Sequence, residues 1–82
     1  MNRLQRAEPK PDYCLYLVFR DGTEGLISVK DLLWGAMFEP MKDPSCFNQV
    51  FVDESGILNW PNGADIAPAE LYKRVNNADR QQ

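Results

Sequence analysis

The chain has no histidine and only two cysteines among its 82 residues. The first absence removes the usual base for a serine or cysteine nucleophile, so nucleophilic catalysis of that kind has no candidate. The second excludes a disulfide framework. No CxxC spacing exists to begin a structural zinc site. Two free thiols are expected, with Cys14 buried in an apolar run. No GxGxxG or phosphate loop is present. The five glycines, Gly22, Gly25, Gly35, Gly56 and Gly63, are scattered singly and read as turn residues, Gly25 also as a bulge. The longest apolar run, Tyr13–Phe19, is far short of a membrane span. The polar opening, Met1–Lys10, has no signal-peptide pattern, so the expected location is the cytoplasm.

What is abundant is negative charge, and it is unevenly placed. The body, residues 11–72, holds three cations against ten carboxylates, a net of −7. Each end is basic: Arg3, Arg6 and Lys10 against Glu8, then Lys73, Arg74 and Arg80 against Asp79. An acidic body disfavours nucleic acid as the main partner, because phosphate binding needs clustered Lys and Arg. It serves solubility, and it steers a basic protein partner.

The pattern along the chain predicts one α+β domain over residues 11–75: a small antiparallel sheet of about four strands with two or three short helices packed on it. Residues 1–10 read as a polar lead-in and residues 76–82 as a disordered polar tail. Tyr13–Arg20 is the first predicted strand, apolar on both faces and therefore central. Asp21-Gly22 reads as a type I′ hairpin turn into a return strand, Thr23–Val29. A short helix over Lys30–Trp34 ends at Gly35, and the irregular stretch after it turns Met37 and Phe38 inward. Asp43 caps, and Pro44 opens, a single helical turn. Gln49–Asp53 and Ile57–Trp60 form a second hairpin. The dense turn Pro61-Asn62-Gly63, with Asp65 beyond it, leads to a helix from Pro68 to Val75, whose apolar side is Leu71, Tyr72 and Val75.

Carboxylates are the only plentiful reactive type, and Asp21, Asp43, Asp53, Glu54 and Asp65 all fall in or beside turns, where Asp serves local hydrogen bonding. A metal-dependent hydrolase built on Asp53, Glu54 and Asp65 is set aside for want of a ligand pattern. The sequence thus offers no catalytic residue, no cofactor and no metal ligand. Tyr16, Trp34, Phe38 and Trp60 are the candidates for an interaction surface, since aromatic residues are enriched at interfaces.

Three blocks of the chain resemble a bacterial family called domain of unknown function 2442. They are Tyr16–Gly25 followed by Asp31-Leu32-Leu33, then Phe38–Pro44 followed by Phe47, then Trp60–Asp65 with Pro68, Leu71 and Tyr72. They occur in order over about residues 12–73. One departure is Ala67, where the family usually places a capping Asp or Ser. The resemblance implies a compact α+β domain, sometimes fused to a helix-turn-helix unit, with no established catalytic residues to carry over. It also implies genes that neighbour a second small family, domain of unknown function 4160, in the manner of a toxin–antitoxin pair.

The expected function is a non-enzymatic protein-binding module, antitoxin-like toward a small basic protein. The alternative is a nucleic-acid-associated regulator in which the two basic ends converge on phosphates. A homodimer is expected, because three short helices cover one face of the sheet and leave the Tyr16 face open. The competing account folds the N-terminal segment back over that face, with Leu4 inward.

Overall fold

The computed structural model describes residues 2–80, the side chains of 78–80 excepted. Leu15, Leu17 and Phe19 alternate with Cys14, Tyr16 and Val18. That period of two places β2 (Cys14–Phe19) in the middle of an antiparallel sheet, with one face buried. β1 (Leu4–Lys10) pairs along one side of β2 and β3 (Glu24–Ser28) along the other. A second antiparallel sheet, in the order β4 (Phe51–Val52), β5 (Leu58–Asn59), β6 (Asp65–Ile66), follows in the chain. Between the sheets lie two 3-10 turns, Lys30–Leu32 and Glu39–Lys42, and a single helical turn, α1 (Pro44–Phe47). The last element is α2 (Pro68–Arg80).

The class is α+β, as expected, but the strands form two three-stranded sheets instead of one sheet of about four. The added strand is β1, which the polar lead-in conceals. Its inward residues are Leu4, Ala7 and Pro9, and a register shift between Leu4 and Arg6 breaks their alternation. Leu4 is fully buried, but on the inner face beside Phe19, so the segment extends the sheet edge and does not cover the Tyr16 face. α2 also outruns its predicted end at Val75, taking residues 76–80 from the expected tail; residues 81–82 lie outside the described residues.

One turn design occurs three times. In Phe19–Thr23, Asp53–Ile57 and Trp60–Ala64, the first residue's N–H donates to the carbonyl of the fifth, and the fourth residue's N–H donates back to the first. The fourth residue is always a glycine with positive φ: Gly22, Gly56 and Gly63. This is the three-residue hairpin with a left-handed glycine bulge. It replaces the two-residue type I′ turn expected at Asp21-Gly22, since Asp21 is not among the residues with positive φ. A side-chain oxygen reinforces each turn: Asp21 accepts from Thr23 N, Asp53 from Ser55 N and Ile57 N, and Asn62 from Ala64 N. The Pro11–Tyr13 turn is different, holding two non-glycine residues, Asp12 and Tyr13, at φ 64° and 60°. Tyr13 is kept there by an edge-on contact with Phe47 at 5.5 Å and by its hydroxyl, which donates to the Lys42 carbonyl.

The core lies between the inner face of the first sheet and everything that follows it. Leu4, Leu15, Leu17 and Phe19 meet Phe47, Leu58, Trp60, Leu71 and Val75, all essentially without exposure. Each such side chain contributes roughly 1.5–3 kcal/mol on burial. Gly25 sits in a regular ladder and forms no bulge. Its role is close approach: a Cβ there would lie 3.0 Å from Val75 Cγ1, so its absence lets α2 settle onto β3. Tyr72 fixes the same helix from the side, edge-on to Phe19 at 4.9 Å, with its hydroxyl donating to Asp21 Oδ2 at 2.7 Å. The molecule is a slab of 31 × 30 × 18 Å, thick enough for two layers. Cys14 and Cys46 are free thiols and both are half-buried, so Cys14 is less enclosed than its apolar run suggests.

Candidate functional site

The chain from Leu33 to Phe38 is irregular, lying between the two 3-10 turns. Gly35 takes a left-handed φ of 87°, and its carbonyl accepts from Phe38 N and Glu39 N, which closes a tight loop. Leu33 anchors one end in the core. At the other, Phe38 packs edge-on against Trp60 at 5.8 Å. A third tether comes from the Pro61-Asn62-Gly63 turn, where Asn62 Nδ2 donates to the Met37 carbonyl at 2.9 Å. The turn that dominates the sequence therefore positions a neighbouring loop as well as reversing its own hairpin.

The tethered loop holds its apolar side chains outward. Trp34 is 72% exposed and Met37 is 47% exposed. Met37 corrects the inward orientation expected from sequence: the loop closes at Gly35 before the chain turns in, and Phe38 fills the space beside Trp60. Trp34 stands between two shallow depressions. One, about 320 Å³, is lined by Leu32, Phe38, Ile66 and Ala67, with Asp65 and Glu70 at its edge. The other, about 350 Å³, lies among Tyr13, Lys30, Asp31 and Lys42.

Electrostatics around Trp34 are organised by Arg74. Its guanidinium spans both Asp31 oxygens at 2.8 Å, meets Glu70 at 3.1 Å through Nε, and donates to the Ser28 carbonyl. One side chain thus joins α2, the end of β3 and the turn carrying Leu32. A planar fork suits this bidentate arrangement. The hydrogen bonds from Arg74 hold the Asp31 carboxyl below its usual value, and those carboxylates raise Arg74 further above its own.

Two other carboxyls are lowered by hydrogen bonds: Asp21 by the Tyr72 hydroxyl and the Thr23 amide, and Asp53 by the amides of its own turn and by Asn59. In all three cases the folded value lies below the unfolded one. Their stabilisation is therefore complete above the unfolded value near 4 and is lost as pH falls through the folded values. Thermal melts between pH 6 and pH 2 are expected to show a flat Tm above about pH 5 and a steep fall below about pH 4. The Asp31→Asn variant is expected to lower the upper plateau and flatten the fall.

Of the four aromatic candidates, the structure brings Trp34 and Phe38 together. Tyr16 is on the outer face of the first sheet, its hydroxyl donating to Glu24. Trp60 is 1% exposed, with Nε1 donating to the Phe47 carbonyl at 3.0 Å, so it belongs to the core and to no surface. Asp21, Gly22, Asp43, Pro44, Pro61, Asn62 and Gly63 lie in turns and caps, Asp43 accepting from Ser45 N at 3.0 Å. Asp65 does not: it starts β6 and is exposed at the rim of the Trp34 depression. Asp53 is saturated by its own turn, and among the described residues no group of three or more Cys, Asp or Glu is placed to hold a metal.

Arg74 was read as part of a basic end; its spacing of four from Glu70 is the signal that it is paired. Three residues of the other basic end are also engaged. Arg3 donates to the Ser55 carbonyl, and Arg6 and Lys10 share Glu8. Arg80 lies where side chains are not described.

No described helix is long and apolar enough to cross a membrane. No curated protein and no solved structure matches the chain. A family model described as protein of unknown function does match, over residues 4–77, which takes in β1 as well as the three blocks read from sequence. With nearly its whole length inside that match, the chain belongs to the DUF2442 family.

Proposed function

We propose that the domain is a non-enzymatic protein-binding module, and that Trp34 is the centre of its binding surface. The observation that carries this reading is a tryptophan 72% exposed on a loop tethered at both ends and by Asn62. Burying such a side chain against a partner releases a large apolar area at little ordering cost, because the loop is already fixed. Met37 and Phe38 extend the apolar surface, with Asp65 and the Arg74-bound Glu70 on one side of Trp34 and Lys30 and Lys42 on the other.

An apolar anchor on a body of net −7 over residues 11–72 fits a small basic protein. The antitoxin-like pairing suggested by the family resemblance is of this kind. The module would work in the cytoplasm, where its two thiols stay reduced. The test is calorimetric titration with a protein of the domain of unknown function 4160 type. Trp34→Ala is expected to weaken binding by about 30-fold or more, the loss of a hot-spot residue of about 2 kcal/mol, with the thermal melt unchanged. Added salt is expected to weaken the wild-type complex. Absence of binding by the wild-type chain, or equal binding by Trp34→Ala, would sink the proposal.

A further inference from the structure

The outer face of the first sheet is patterned for a copy of itself. Its middle column is Cys14, Tyr16 and Val18, all half-buried, and Leu26 beside Tyr16 is 55% exposed. α2 packs on the opposite face, where Gly25 meets Val75. Charges flank the column asymmetrically. The register places Arg6 beside Val18 on the β1 side and Glu24 beside Val18 on the β3 side. Farther along β1, Glu8 stands beside Tyr16, opposite Leu26, and Lys10 beside Cys14, opposite the neutral Ser28. Within one copy Arg6 and Lys10 share Glu8, and Glu24 accepts from Tyr16, so Arg6 and Glu24 each add a second partner across the interface.

This asymmetry selects one pairing. A two-fold axis lying between stacked faces and parallel to β2 exchanges the β1 and β3 sides. It sets Arg6 over the second copy's Glu24, and the reverse, while the middle column meets itself. An axis across the strands sets Arg6 over the second copy's Lys10, like charge on like. From the charge pattern we infer that the chain forms a two-fold dimer through this face, with β2 along the axis and two Arg6–Glu24 pairs at its rim. Isologous contacts of this kind need a self-complementary patch, which this face provides. Face-to-face sheets lie about 10 Å apart, so the central Tyr16 and Val18 side chains fill the space between them. Three strands of this length give an area at the low end of specific interfaces, so the dimer is expected to be weak and concentration-dependent.

Sedimentation velocity from micromolar to millimolar concentration tests this. The mass is expected to rise from 9.4 kDa toward twice that value. Arg6→Glu and Glu24→Arg are each expected to weaken association about tenfold or more, and the double exchange to restore it, a reversal that a merely structural role would not give. Because a variant can also alter folding, the wild-type chain supplies a second readout. On dilution, amide signals of Tyr16, Val18 and Leu26 are expected to shift in the nuclear magnetic resonance spectrum. A 9.4 kDa mass at every concentration would overturn the inference. So would dilution shifts confined to the Trp34 loop, or single variants that associate as the wild type does.

Discussion

Replacing Trp60 by alanine is expected to leave the fold barely stable at ordinary temperature. Trp60 is 1% exposed and makes three contacts with two core neighbours: Phe38 edge-on at 5.8 Å, the Phe47 ring tilted at 5.9 Å, and the Phe47 carbonyl through Nε1. Truncation loses the transfer free energy of an indole, leaves a cavity and removes one of two donors to the Phe47 carbonyl, which keeps Val50 N at 3.2 Å. Together these cost about 3–5 kcal/mol, most of it from the cavity. A domain of this size has little more than that in total. The expected fall in Tm is of the order of 15–30 °C. Trp60→Phe keeps the ring packing and loses the hydrogen bond, so about 1–2 kcal/mol is expected. Urea melts followed by circular dichroism measure both. A loss under about 1 kcal/mol for the alanine variant would show that Phe38 and Phe47 collapse into the space. The tryptophan at position 34 is the internal contrast, since its removal touches no packed neighbour in the core.

Gly56→Ala is expected to be nearly as damaging, by a different route. Gly56 sits at φ 81°, and a Cβ there would lie 2.7 Å from Arg3 Cβ and 3.2 Å from Leu4 N. The Gly56 carbonyl accepts from that same Leu4 N at 2.9 Å. An alanine must therefore pay about 1–2 kcal/mol for the left-handed backbone and also displace the start of β1. With the crowding of roughly 1–3 kcal/mol, a total of about 2–5 kcal/mol is expected. Gly22→Ala separates the two terms. It has φ 93° and nothing within 4 Å of the added Cβ, so only the backbone cost of about 1 kcal/mol remains. Hydrogen exchange at the Leu4 amide is expected to accelerate in Gly56→Ala beyond its change in global stability. Equal losses for the two variants would mean that the Arg3 side chain yields without cost.

What was legible in the sequence was local. Asp43-Pro44 announces its cap, and the three hairpin glycines announce reversals, because those geometries depend on residues adjacent in the chain. The turn type at Asp21-Gly22 was not legible, since a two-residue and a three-residue loop use the same dipeptide and differ only in whether Arg20 is still paired. β1 was hidden because an edge strand needs little apolar content, and the irregularity after Leu4 disrupts its alternation. Trp34 and Trp60 look equivalent in composition. Which one is buried depends on Asn62 holding the loop that carries Met37, a contact spanning 25 residues. Arg74 was missed for the same reason, its two Asp31 contacts spanning 43 residues.

Among the described residues every strand pairs only with its neighbours in the chain, β1 with β2 and β2 with β3, then β4 with β5 and β5 with β6. Each reversal needs only a few residues to close, so the entropy lost at each step is small. Such local wiring favours rapid folding, in milliseconds or less, by successive hairpins. As the chain leaves the ribosome, the first meander can form before the second exists. The stitch between Leu4 and Gly56 then joins the oldest part of the chain to one of the newest. Synthesis order and assembly order therefore coincide, hairpin by hairpin.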